Sequence, residues 1–167
     1  MKQLFIVLLG GKHPRARIEV HDIVAATGER LADTYPQLRE QWFGAANGLH
    51  IDAWMQVSGI DGYQLHFSNS APAAGEPRLY LINLGGYTRE EFGEAHRYLL
   101  VTAATRAEAK QKGKRQFHAS WLKPHTDAVV DVDDCLPLDF VNGAHIQLIP
   151  GAHIAPHFEN DYILLNQ

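Results

Sequence analysis

Cysteine is almost missing from this chain: Cys135 stands alone, which excludes an internal disulfide and any thiolate-built metal cage within one chain. An inert, half-buried thiol is expected there. No apolar run approaches the roughly 18 residues that a membrane span needs. The opening MKQLFIVLLG starts like a signal peptide, but Gly10, Gly11, Lys12, His13 and Pro14 cut it short. Basic excess is missing too, since 15 Lys+Arg against 19 Asp+Glu give a formal charge of -4. No global field therefore draws the chain to nucleic acid or to an anionic membrane. GxSxG, Walker and HExxH patterns are absent, and the Gly-Gly pairs lack phosphate-loop spacing. The expectation is a cytoplasmic protein with no membrane partner, and nucleic acid is disfavoured as a partner.

What is present is a repetition. LFIVLLGG at 4–11 returns as LYLINLGG at 79–86, an offset of 75. The same offset carries Glu19 to Glu94, His21 to His96, His50 to His125 and Asp52 to Asp127. Such self-similarity marks an internal duplication. The small-residue stretch Ser68–Pro77 closes the first copy, so the units are expected at 1–77 and 78–167, packed as one globule. Gly62–Phe67 matches Gly143–Leu148 at an offset of 81, which implies about six inserted residues, expected after Val132.

Leu4–Leu9 is apolar on both faces and suits a buried strand, which Gly10-Gly11 would end in a turn or bulge. Arg17–Ala26 alternates and should pair back on it. Leu31, Tyr35, Leu38 and Trp42 form a helical stripe closed by Gly44. His50–Val57 alternates again, with Ile51, Ala53, Met55 and Val57 facing the helix and His50, Asp52, Trp54 and Gln56 facing away. Tyr63–Phe67 is a further strand. In the second copy, Thr105 to Glu108 is a capping box opening a basic helix. The final DYILLN is similar to RLYLIN at 78–83 and reads as a strand that completes a sheet, within the chain or across a homodimer. Each unit thus predicts strand, strand, helix, strand, strand: an α+β, β-grasp-like tandem duplication with antiparallel or mixed sheets, one helix per unit and a pseudo-twofold relation.

LFIVLLGG, the E-x-H segments, the helix end REQWFG and LHIDAWMQV together resemble a bacterial domain-of-unknown-function family, number 1543, here in two tandem copies. The second copy departs from the pattern: in ungapped comparison Trp54 becomes Val129, Leu31 becomes Arg106 and Leu38 becomes Gly113. The resemblance implies no particular activity.

Residues i and i+2 of a strand share a face, so Glu19 points with His21 and His50 with Asp52. The copy offers Glu94, His96, His125 and Asp127, and Trp54 would line the first set. Two imidazoles and two carboxylates could hold a divalent metal such as zinc, manganese or ferrous iron. They could equally form a polar ladder in which each histidine pairs with a carboxylate, and that structural reading is preferred at this point. Three functions follow: a non-catalytic module for a small ligand or protein partner, a metal-dependent hydrolase, and an RNA-contacting module using the basic helix. The first is favoured.

Overall fold

The computed structural model describes residues 1–87, 90–116 and 131–165. The chain divides into two compact units, the first of 1–65, 141–144 and 150–167, the second of 66–140 and 145–149.

In the first unit, β1 (Gln3–Gly11) pairs antiparallel with β2 (Val20–Gly28) on one side and β3 (His50–Val57) on the other. The C-terminal strand β11 (His157–Leu164) adds to the outer edge of β3, giving the order β11-β3-β1-β2. A 3-10 turn at Leu31–Thr34 and helix α1 (Tyr35–Gln41) cross one face of this sheet. The expected stripe is the contact surface: Leu38 and Trp42 are buried against Phe5, Val7, Leu9, Val24 and Ile51, with Leu31 and Tyr35 at the margin. Burying each such side chain contributes about 1.5–3 kcal/mol.

The second unit holds β6 (Arg78–Gly86), β7 (Ala95–Ala103), α2 (Arg106–Arg115) and β8 (Asp131–Pro137), with sheet order β7-β6-β8. Its core joins Tyr80, Ile82, Leu84, Val101, Ala109, Val132 and Cys135. Short strands β4 (Gly59–Ile60), β5 (Tyr63–Ser68), β9 (Phe140–Val141) and β10 (Ala144–Pro150) belong to a third sheet. Asp61-Gly62 and Asn142-Gly143 turn the chain between β4 and β5 and between β9 and β10. All four residues have positive φ, the backbone that two-residue hairpins demand.

This architecture overturns the α+β, β-grasp-like strand-strand-helix-strand-strand expectation. Among the described residues strands take 51% and helices 14%, in three antiparallel sheets, so the protein is mostly β. Two physical causes account for the difference. Helix α1 is short because Trp42 leaves helical conformation at ψ 126, and a 3-10 turn replaces its first turn. The strands are long because extended chain runs through both glycines before β1 ends at Gly11, with no positive φ at either, as β6 runs through Gly85 to end at Gly86.

A second difference concerns β3. Its pairing with β1 slips between Leu8 and Leu9, leaving Asp52 as a bulge residue. The bulge resets the alternation, so Ile51 and Trp54 both pack on the helix side.

Candidate functional site

Gly10 is the Cα partner of His21 on β2 and of His50 on β3, so His21, Gly10 and His50 form one row across three strands. With strands about 4.8 Å apart, the two histidine backbones stand about 10 Å from each other. Gly10 leaves the space between them vacant. A methyl group there would lie 2.5 Å from His50 Nε2 and 2.5 Å from Asp52 Oδ2. The repeated glycine is thus required by close approach of side chains, not by backbone conformation.

Four groups meet over Gly10. His21 Nε2 lies 3.2 Å from Glu19 Oε1 and 3.2 Å from Asp52 Oδ2. His50 Nε2 lies 3.5 Å from Glu19 Oε1 and 3.4 Å from Asp52 Oδ1. Asp52 reaches inward from the bulge, an irregularity often found where a side chain must be re-aimed. A further slip, between Asn160 and Ile163, interrupts β11 on the other side of β3 and brings the Tyr162 ring to 4.5 Å from that of His50.

The four differ in exposure. The His50 side chain is 3% exposed, whereas Glu19 and His21 are about half exposed. His50 Nδ1 is 2.8 Å from the carbonyl oxygen of Gly48. A carbonyl only accepts, so Nδ1 donates to it, and Nε2 is the ring nitrogen left to face two carboxylate oxygens. Asp52 Oδ2 is buried and makes no hydrogen bond, His21 Nε2 at 3.2 Å notwithstanding.

In the second unit Gly85 is opposed by His96 on β7 and by Asp131 on β8, and the register slips between Asn83 and Leu84. A methyl on Gly85 would collide with Asp133 Oδ2 and Glu94 Oε1. The cluster here is Glu94, His96 and Asp133. His96 Nδ1 lies 3.3 Å from Asp133 Oδ2 and 3.2 Å from Asn83 Oδ1, while its Nε2 is 3.8 Å from Glu94 Oε2. All three cluster side chains are about one-third exposed.

Of the residues singled out by sequence, Glu19, His21, His50 and Asp52 come together, as do Glu94 and His96. His125 and Asp127 lie outside the described residues. By strand register the backbone of Asp131 takes the position across from Gly85 that His50 takes across from Gly10, and Asp133 follows it as Asp52 follows His50. Trp54 is not beside the cluster: it packs on the helix-side core, 6.2 Å from Phe5 and 5.7 Å from His157 between ring centres. Sequence reasoning missed Gly10, Gly85, Asp133 and Tyr162 as parts of the sites. The two glycines and Asp133 had a signal, in the repeated LGG and in the offset of 81 carried back from Gly143 to β8. Tyr162 had none. On the basic helix, Lys112 Nζ already donates to Thr102 O at 2.6 Å and pairs with Glu108 at 3.0 Å.

Fold and site together define a mostly β protein of antiparallel sheets with a histidine-carboxylate cluster over a strand glycine. A solved structure, that of protein Il1583 from Idiomarina loihiensis, is 31% identical with a TM-score of 0.76, and the match covers 100% of both chains. The protein belongs to the family of Il1583. Residues 16–67 match the model of a Domain of Unknown Function, DUF1543. That segment contains Glu19, His21, His50 and Asp52. No curated protein matches the chain. No helix among the described residues is long and apolar enough to cross a membrane.

Proposed function

We propose that the first unit is a metal-binding module in which Glu19, His21, His50 and Asp52 hold one divalent ion of the zinc, manganese or ferrous class. The observation that carries this reading is the His50 Nδ1 contact with Gly48 O, which aims a buried Nε2 at two carboxylates. An orienting carbonyl of this kind is the usual outer partner of a metal-bound histidine. Spacing supports the same reading. One ligand atom each of Glu19, His50 and Asp52 lies within 4.8 Å of the other two, close enough to share an ion. His21 Nε2 stands beside this set, 3.2 Å from Glu19 Oε1 and from Asp52 Oδ2.

The second unit is, in our reading, a tandem copy of the DUF1543 unit that has drifted away from this chemistry. In support, β6 and β7 begin 75 residues after β1 and β2, and β8, β9 and β10 begin 81 residues after β3, β4 and β5. The hydrolase alternative uses the same four residues and requires turnover in addition to binding.

The test is elemental analysis of protein purified without a His-tag or chelator, followed by zinc titration of the stripped protein. About one equivalent per chain is expected in the parent, with loss of that equivalent in His50→Ala and also in His21→Ala, whose half-exposed ring can be removed with little change in the urea midpoint of the stripped protein. Absence of metal from the parent, together with a stability loss of about 1–3 kcal/mol in His21→Ala, would instead identify a structural ladder.

A further inference from the structure

The first unit also contains a cavity of about 520 Å³ beside the end of α1, lined by residues that include Arg39, Trp42, Asn47, Leu49 and Leu165. A space of that size admits a small organic molecule. Trp42, Leu49 and Leu165 belong to the helix-side core, so the cavity lies on the sheet face opposite the Gly10 cluster and is independent of the metal reading.

Its polar groups are unequal. Arg39 is half-buried, and its Nε donates to the carbonyl of Leu165 at 3.0 Å. That bond steadies one edge of the guanidinium and leaves both terminal nitrogens to donate in a planar fork. No acidic residue lines the cavity, and Arg39 has no ion-pair partner among the described residues. The apolar walls are fixed. Trp42 Nε1 donates to Ala45 O at 3.0 Å, and Leu165 N donates to Leu49 O at 2.9 Å. Gly11 and Gly44 make room for the indole, since a methyl group at either would fall within 2.9 Å of it. A steadied cation with no ion-pair partner among the described residues, at the edge of an apolar wall of which Trp42, Leu49 and Leu165 expose 8%, 2% and 2%, matches a small molecule with an oxyanion at one end. Arginine's fork fits a carboxylate bidentately.

We propose that this cavity binds a small organic carboxylate, its oxyanion on Arg39 and its apolar body against Trp42, Leu49 and Leu165. The probe is benzoate, followed by calorimetric titration of the full chain, with benzamide as the uncharged analogue and inorganic phosphate as the anion without a body. Saturable binding of benzoate is expected, with benzamide and phosphate each at least about tenfold weaker. Arg39→Gln should weaken benzoate by at least about tenfold. Because that change also removes the bond to Leu165, a second variant, Ala46→Glu, keeps Arg39 and sets a carboxylate at an exposed lining position; it should weaken benzoate comparably. The proposal is overturned if benzoate fails to bind at about 10 mM, if benzamide or phosphate binds as tightly, or if either variant binds like the parent.

Discussion

The clusters over Gly10 and Gly85 start from the same strand plan, with a glycine on the middle strand, a Glu-x-His on one neighbour and a bulged aspartate on the other. They end in different chemistry. Over Gly10, two histidines share two carboxylates, and one of them is buried with its Nδ1 held by a backbone carbonyl. Over Gly85, a single exposed histidine turns one ring nitrogen to each of two carboxylates. The first arrangement is closed and has two imidazoles; the second is open and has one. The comparison teaches that repeated residue types do not repeat a site, because burial and the aim of each imidazole differ.

The helices differ in the same spirit. In the first unit α1 supplies bulk, with Leu38 fully buried and Trp42 nearly so. In the second, α2 buries only Ala109 and Gly113, and the strands fill the core. The largest effect that would break this comparison is the response to Leu38→Ala. Removing that side chain should cost about 2–5 kcal/mol, read as a fall in the urea midpoint. A loss below about 1 kcal/mol would mean that α1 is not the keystone of its unit.

Next in size is the contrast between Gly10→Ala and Gly85→Ala. The methyl on Gly10 meets His50, which is boxed in by Gly48, by the Tyr162 ring and by its own burial. That is an overpacked interior and should cost about 1–3 kcal/mol. The methyl on Gly85 meets Asp133 and Glu94, whose side chains are about one-third exposed and can swing outward. A cost under about 1 kcal/mol is expected there. Equal costs from urea titration would erase the distinction between a closed and an open cluster.

Much of this was legible, and the illegible parts have identifiable causes. The stripe Leu31, Tyr35, Leu38 and Trp42 gave the packing face of α1, and the Thr105 cap forms, with Glu108 N donating to Thr105 Oγ1 at 3.2 Å. The set Glu19, His21, His50 and Asp52 was readable from strand periodicity. The fold class was not, because two short helices read from sequence weigh as much as long strands, and nothing in Gly10-Gly11 signals that extended chain runs through both. In the second cluster the H-x-D at 125–127, which matches the first copy without a gap, lies outside the described residues, while strand pairing makes Asp133 the register counterpart of Asp52. That register is one that only hydrogen bonding reveals. Trp54 was misread for a related reason: a bulge inverts every later position of a strand.

The smallest effect, and the sharpest on the helices, is Gly113→Ala. Glycine inside a helix costs about 1 kcal/mol relative to alanine, so on propensity alone the change should stabilise α2. Packing argues the other way. A methyl at 113 would lie 2.9 Å from Cγ2 and 3.3 Å from Cγ1 of Ile82, and Ile82 is fully buried on the central strand of its sheet. Ile82 is β-branched and has little rotamer freedom to yield, so the helix must lift, loosening the contacts of Ala109 beside it. Overpacking of that kind costs about 1–3 kcal/mol, more than the propensity gain at most of that range. A net loss of about 1 kcal/mol is expected, seen as a lower urea midpoint at unchanged slope. If the substitution raised the midpoint, α2 would be held only loosely on β6, and the close seat that sets it apart from the bulky α1 would not exist.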